Sequence, residues 1–162
     1  MRGNVFRRGL FVFAPVLLWL IFPAAAFAEG SAAKLEELIK KSGYTSTKVN
    51  DNTWTIDFTG KQLPKFKMIL SASNKEKNNI FVIYANPADK ARLPASANFM
   101  LLLLKANQDF DYVKVGIDGD GDAFVRADIP DSIDDGYFKS MVEQVAAATD
   151  QLYGRIKPML RN

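Results

Sequence analysis

Three aspartates at alternate positions, Asp118, Asp120 and Asp122, lie in the stretch "VGIDGDGDAFVRADIP" with glycines between them. Carboxylates at that spacing can chelate a hard cation or serve as general acid and base. A calcium loop of the EF-hand kind needs Gly after the third aspartate and a bidentate Glu at the twelfth position. Here those places hold Ala123 and Ile129. Apolar alternation also runs into the loop from both sides, through Val113, Val115 and Ile117 before it and Val125, Ala127 and Ile129 after it. Glycines that reach positive φ and aspartates that tolerate turns suit a hairpin. The expectation is a tight turn between two strands, with no dedicated metal site and no cofactor.

The remaining inventory narrows the chemistry further. The chain has no His and no Cys, which excludes Ser-His-Asp and Cys-His nucleophile systems, zinc sites of the usual ligands, and disulfides. Carboxylates, lysines and hydroxyls are left, and a carboxylate mechanism would have Asp109 and Asp111 or the Asp118/Asp120/Asp122 group as its carriers. Acid–base work requires one of them in a cleft with a raised pKa. A carboxylate-dependent hydrolase and a weak calcium-binding envelope protein are therefore the alternatives to a binding module without catalytic residues.

Residues 1–28 read as a secretory signal peptide. Arg2, Arg7 and Arg8 precede an uncharged run, and the segment closes on Ala26-Phe27-Ala28, a small-x-small cleavage pattern. Cleavage is expected between Ala28 and Glu29, giving an exported product, periplasmic or secreted. The alternative is an uncleaved anchor, because residues 9–28 carry no charge and could span a bilayer. All of the excess positive charge lies in this leader: residues 29–162 hold 18 basic and 18 acidic groups. No nucleic-acid partner is expected, and no membrane association once the leader is removed. Residues 29–108 are net +5 and residues 109–162 net −5, as for two halves of one domain attracting each other.

The elements that must position these residues follow from periodicity. "SAAKLEELIKKSG" predicts a short helix capped by Ser31 and ended by Gly43. Residues 44–86 predict an antiparallel meander of four strands, in which Trp54, Ile56 and Phe58 alternate with polar residues. The run "NIFVIYA" is apolar throughout, as for a central strand covered on both sides. Pro87 and Pro94 bracket a connection to a helix containing six consecutive apolar residues, Phe99 to Leu104. Such a helix should be buried on more than one side. After the hairpin, residues from Ile133 onward predict the longest helix, capped by Asp131 or Ser132. Its stripe of Phe138, Met141, Val142, Val145, Ala148, Leu152, Ile156 and Met159 should cover one face of the sheet. The fold class is thus α+β, one domain with an antiparallel sheet of about six strands in the order α-ββββ-α-ββ-α.

Residues 99–153 carry a further signal. The features are an apolar helix ending in Lys105-Ala106-Asn107, a hairpin with an acidic turn, the strand Val125-Arg126-Ala127-Asp128, and a terminal helix with Ala146-Ala147-Ala148. In combination they resemble the carboxy-terminal half of the YbjN family, whose fold is that of the class I type III secretion chaperones. With the meander included, the resemblance extends over residues 29–162. It implies a peptide- or protein-binding module, with homodimerisation as one arrangement. The leader distinguishes this chain from the cytosolic type III chaperones.

Three surfaces are candidates for the partner. One is the surplus side of the apolar helix, with Phe99, Met100, Leu103 and Leu104. Another is the outward face of the last hairpin, with Tyr112, Lys114, Phe124 and Arg126. The third is the edge of the meander, where an extended peptide could add a strand.

Overall fold

Gly43 sits at φ 80, a left-handed conformation that costs glycine little and ends the first helix. The computed structural model describes residues 24–73 and 79–161, with side chains from residue 30 onward. Nine elements follow one another: α1 (Ala24–Ser42), β1 (Ser46–Asn50), β2 (Thr53–Phe58), β3 (Phe66–Ser73), β4 (Ile80–Ala88), α2 (Ala97–Asp109), β5 (Lys114–Ile117), β6 (Ala123–Pro130) and α3 (Asp135–Ile156). This is the α-ββββ-α-ββ-α order that the periodicities predict. Residues 1–23 of the expected signal peptide lie outside the described residues. No helix among the described residues is long and apolar enough to cross a membrane.

The six strands form one antiparallel sheet in the order β1-β2-β3-β4-β6-β5. The chain leaves the meander at β4, crosses through α2 to the far edge, and returns in β6 beside β4. Cross-strand rows put the apolar residues of alternate positions on one face. One row is Trp54, Leu70, Ile83 and Ala127; the next is Ile56, Met68, Ala85, Val125 and Val115, all of them buried. Helices α1 and α3 cover this face. Leu35, Leu38 and Ile39 of α1 join the core, as do the buried residues of the α3 stripe from Phe138 to Ile156. Met159 is only half-buried, in a single 3-10 turn beyond α3.

Caps differ from the sequence reading in two places. Ser31 caps nothing: α1 begins at Ala24, and the buried Ser31 hydroxyl donates to Asp131 Oδ2 at 2.7 Å. With Asp131 so engaged, the α3 cap is Asp134, whose side chain accepts the Tyr137 N–H at 2.7 Å. The helix also runs through the expected Ala28–Glu29 junction.

The apolar run of β4 departs from expectation as well. The strand is central, yet the described helices cover only one side of it. Ile80, Val82 and Tyr84 lie on the helix-free face and are half-buried by their cross-strand neighbours. Apolar side chains there shelter one another, so a continuous run did not require a second layer. Pro87 is accommodated at the end of β4, where the register with β6 shifts between Ala85 and Ala88; such an irregularity tolerates a residue without an N–H.

Candidate functional site

Asp118 organises the acidic turn by accepting hydrogen bonds. Its Oδ1 takes the backbone N–H groups of Asp120, Gly121 and Asp122 at 2.9–3.0 Å. Its Oδ2 accepts the Tyr84 hydroxyl and, at 3.3 Å, the Asn86 amide. Strands β5 and β6 close directly on this turn, with Ile117 opposite Ala123. The stretch is a hairpin, as its residues predict. The Tyr84 hydrogen bond and the turn amides hold the Asp118 carboxyl below its usual range. Desolvation, with the Asp118 bond second, pushes Tyr84 up to about 12. Asp122 accepts the Lys90 N–H at 2.7 Å and ties the hairpin to the β4–α2 connection. Among the described residues no three His, Cys, Asp or Glu side chains converge as a metal site.

Two further carboxylates, Asp109 and Asp150, are also committed. Asp109 accepts from Arg155 at 2.6 Å, and the same guanidinium lies 4.9 Å from the centre of the Phe110 ring. Asp150 on α3 collects the N–H groups of Lys61, Gln62 and Leu63 at 3.1, 2.7 and 2.8 Å. Partial burial pushes the Asp150 carboxyl up, but these three donors outweigh it and hold it low. Gly60 permits the close approach, because a Cβ there would run into the Asp150 carboxylate. No carboxylate is buried among the described residues, and the three aspartates held below the usual range (Asp118, Asp128 and Asp150) are shifted away from what a general acid needs.

Three of the hairpin's four predicted outward residues, Lys114, Phe124 and Arg126, share a surface. Lys114 pairs with Arg126 across the strands, and Asp128 bridges them, 2.9 Å from Lys114 Nζ and 2.6 Å from Arg126 Nε. Partial burial pushes the Asp128 carboxyl up; the two cations outweigh it and hold it low. Phe124 stacks on Tyr84, ring centres 5.9 Å apart, and its ring covers Gly116, where a Cβ would come within 2.9 Å. Tyr112 stands apart in the turn before β5, 71% exposed and at φ 62. A side chain held there stores strain of about 1–3 kcal/mol.

Helix α2 corrects the expectation of burial on several sides. It lies against β5 at the edge of the sheet, so only one of its faces meets the core. Phe99, Leu103 and Ala106 are buried; Met100 and Leu101 are each 50% exposed and Leu104 is 69% exposed. Of the side chains expected on the surplus side, Met100 and Leu104 project outward, whereas Phe99 and Leu103 belong to the core. Leu101, which the sequence reading did not separate from its neighbours, completes the exposed group.

The two sheet edges are unlike. At β5, the Asn107 side chain occupies the outer edge as another strand would: its Nδ2 donates to Val115 O at 2.7 Å and its Oδ1 accepts Val115 N–H at 2.8 Å. At β1, residues Thr47 to Asn50 are exposed, and no described element pairs with the strand on the side away from β2. Sequence pattern pointed to the meander edge in general; the sealing role of Asn107 carried no signal, since a helical asparagine near a C-terminus reads as polar surface.

In sequence the chain matches no protein-family model and no curated protein. In structure it aligns with the type III secretion chaperone SycH of Yersinia pestis, solved in complex with a stable fragment of YscM2. That alignment has a TM-score of 0.50 and 12% identity, over 75% of this chain and 98% of SycH. YbjN from E. coli aligns with a TM-score of 0.55 and 12% identity, over 80% of this chain and 95% of YbjN. The chain has the fold of YbjN and the type III secretion chaperones, as the pattern over residues 99–153 leads one to expect.

Proposed function

We propose that this chain is an exported, non-enzymatic module that binds an extended segment of a partner protein by strand addition at β1. The observation that carries the reading is the asymmetry of the sheet edges: Asn107 closes β5, while no described element pairs with the outer side of β1. Main-chain hydrogen bonds to an added strand supply affinity, and alternate side chains supply specificity. The edge is short, carries Lys48, and shifts register between Lys48 and Asn50. Those features discourage indiscriminate pairing of one copy with another and still leave room for a selected segment. A fold that SycH presents in a complex with a protein fragment supports this reading. The leader supports export.

A second arrangement has its own support. Met100, Leu101 and Leu104 form an exposed apolar group on α2, suited to a second copy of the chain.

Hydrogen exchange on the mature chain, free and bound to a partner captured from the cell envelope, tests the strand-addition reading. Amides of residues 46–50 should become slow to exchange in the complex. Unchanged exchange there would overturn it. Intact mass of the envelope protein tests export: maturation should begin at Glu29, and a full-length species retained in membranes would count against it.

A further inference from the structure

The β4–α2 connection, the first turn of α2 and the β5–β6 hairpin enclose a shallow depression at the end of the sheet opposite β1. Leu93, Phe99, Met100 and Ile117 line it, together with Lys90 and Arg161 near the C-terminus. Leu93 and Phe99 are 9% and 1% exposed and form a fixed apolar floor. Both cations stand on anchored backbone. Lys90 N–H donates to Asp122 Oδ1 at 2.7 Å, and Arg161 N–H donates to Arg92 O at 2.8 Å. The Lys90 stem lies across Gly121, where a Cβ would come within 2.8 Å of Lys90 Cδ. Gly121, at φ 93, thus serves the turn and the approach of the lysine together. Among the described residues no acidic side chain lines the depression, and neither Lys90 nor Arg161 takes part in an ion pair.

We propose that this depression receives one apolar side chain of a protein segment whose neighbouring carboxylates are held by Lys90 and Arg161. Its volume of about 290 Å³ lies at the lower limit for small-molecule pockets and suits a single side chain. The charge specifies the flanks: an apolar floor beneath two cations selects an acidic segment over a basic one, by charge complementarity that weakens with salt. The site lies on the β5 side of the sheet, so its occupancy does not depend on strand addition at β1.

Fluorescence anisotropy with the mature chain and labelled peptides provides the test. The probes are Glu-Asp-Leu-Asp-Glu, the same peptide with Gly for Leu, and Lys-Lys-Leu-Lys-Lys. The acid-flanked Leu peptide should bind at least tenfold more tightly than either of the others. Lys90→Glu and Arg161→Glu, both at exposed positions, should each weaken it about tenfold with circular dichroism unchanged, and Met100→Ala should weaken it as well. Failure of the Leu peptide to bind would overturn the proposal. So would equal binding of the Gly peptide, which would mean plain charge attraction, or parental affinity in both folded charge variants. Displacement of nothing by the Leu peptide while laurate or inorganic phosphate binds would assign the depression to a different ligand and likewise overturn it.

Discussion

Asn107 on α2 and Val115 on β5 exchange two hydrogen bonds, so a side-chain amide completes the edge of a sheet as a neighbouring strand would. An edge strand with free backbone groups is a template for pairing with another chain. Asn107→Ala should therefore do two things. It should destabilise the domain by about 1–2 kcal/mol, for two hydrogen bonds at a partly exposed position, and it should promote concentration-dependent association through β5. Thermal unfolding and sedimentation read the two effects separately. A variant with the parent's midpoint and the parent's sedimentation profile would show that the amide is incidental.

The order of elements was legible in the sequence because apolar spacing differs between strands and helices, and because Gly43 and the Asp118–Asp122 turn mark ends by backbone chemistry. The α3 stripe was legible for the same reason. Three features were not. Asp134, and not Asp131 or Ser132, caps α3, because Asp131 is drawn away by Ser31, a residue 100 positions distant. The single-sided burial of α2 depends on where the crossover delivers it, and a run of six apolar residues looks the same over the middle of a sheet as over its edge. The half-covered outer face of β4 arises from lateral contacts such as Tyr84 on Phe124, which no local pattern encodes. The candidate surfaces were found as regions, and the side chains within them were sorted only by the fold.

Asp150 fixes the connection between β2 and β3 to α3 and should make the domain sensitive to acid. Its folded pKa is depressed relative to an unfolded value of about 3.9. Its stabilising contribution is therefore fully present above that value and is lost as pH falls through the lower folded pKa. Asp150→Ala should cost about 1–2 kcal/mol at neutral pH, discounted for exposure. The cost should shrink as pH falls from neutral through that lower folded pKa, where the parent's carboxylate is protonated too. Denaturant unfolding across that range checks this; a cost independent of pH would assign the effect to packing on Gly60 instead.

Calcium should leave the 118–122 turn unchanged. Asp118 already accepts three turn amides, the Tyr84 hydroxyl and the Asn86 amide, so a cation would have to displace them. Thermal unfolding with and without millimolar Ca²⁺ should coincide, whereas a site filled at 100 times its dissociation constant would add about 2.7 kcal/mol. Asp118→Ala should lower the midpoint by several degrees in the absence of calcium. A calcium-dependent rise in the parent, lost in that variant, would reverse the assignment.

Adjacent leucines on α2 separate the domain's stability from its association. Leu103 is 4% exposed and Leu104 is 69% exposed. A charge at Leu103 would be buried without a partner, at a cost of several kcal/mol against a total stability of about 5–15 kcal/mol. Leu103→Glu should accordingly unfold the domain or leave it marginal. Leu104→Glu places its charge in water and should keep the parent's circular dichroism and midpoint. If Met100, Leu101 and Leu104 seat a second copy, the same variant must also lose association, because a carboxylate enters the apolar centre of the contact. Three side chains contribute only part of the 1,200 Å² or so that a stable interface buries, so sedimentation has to extend to high protein concentration. A parent that stays monomeric there would remove the dimer reading and leave the exposed group on α2 to a different partner; a parent dimer that survives both Leu101→Glu and Leu104→Glu would place the contact elsewhere on the molecule.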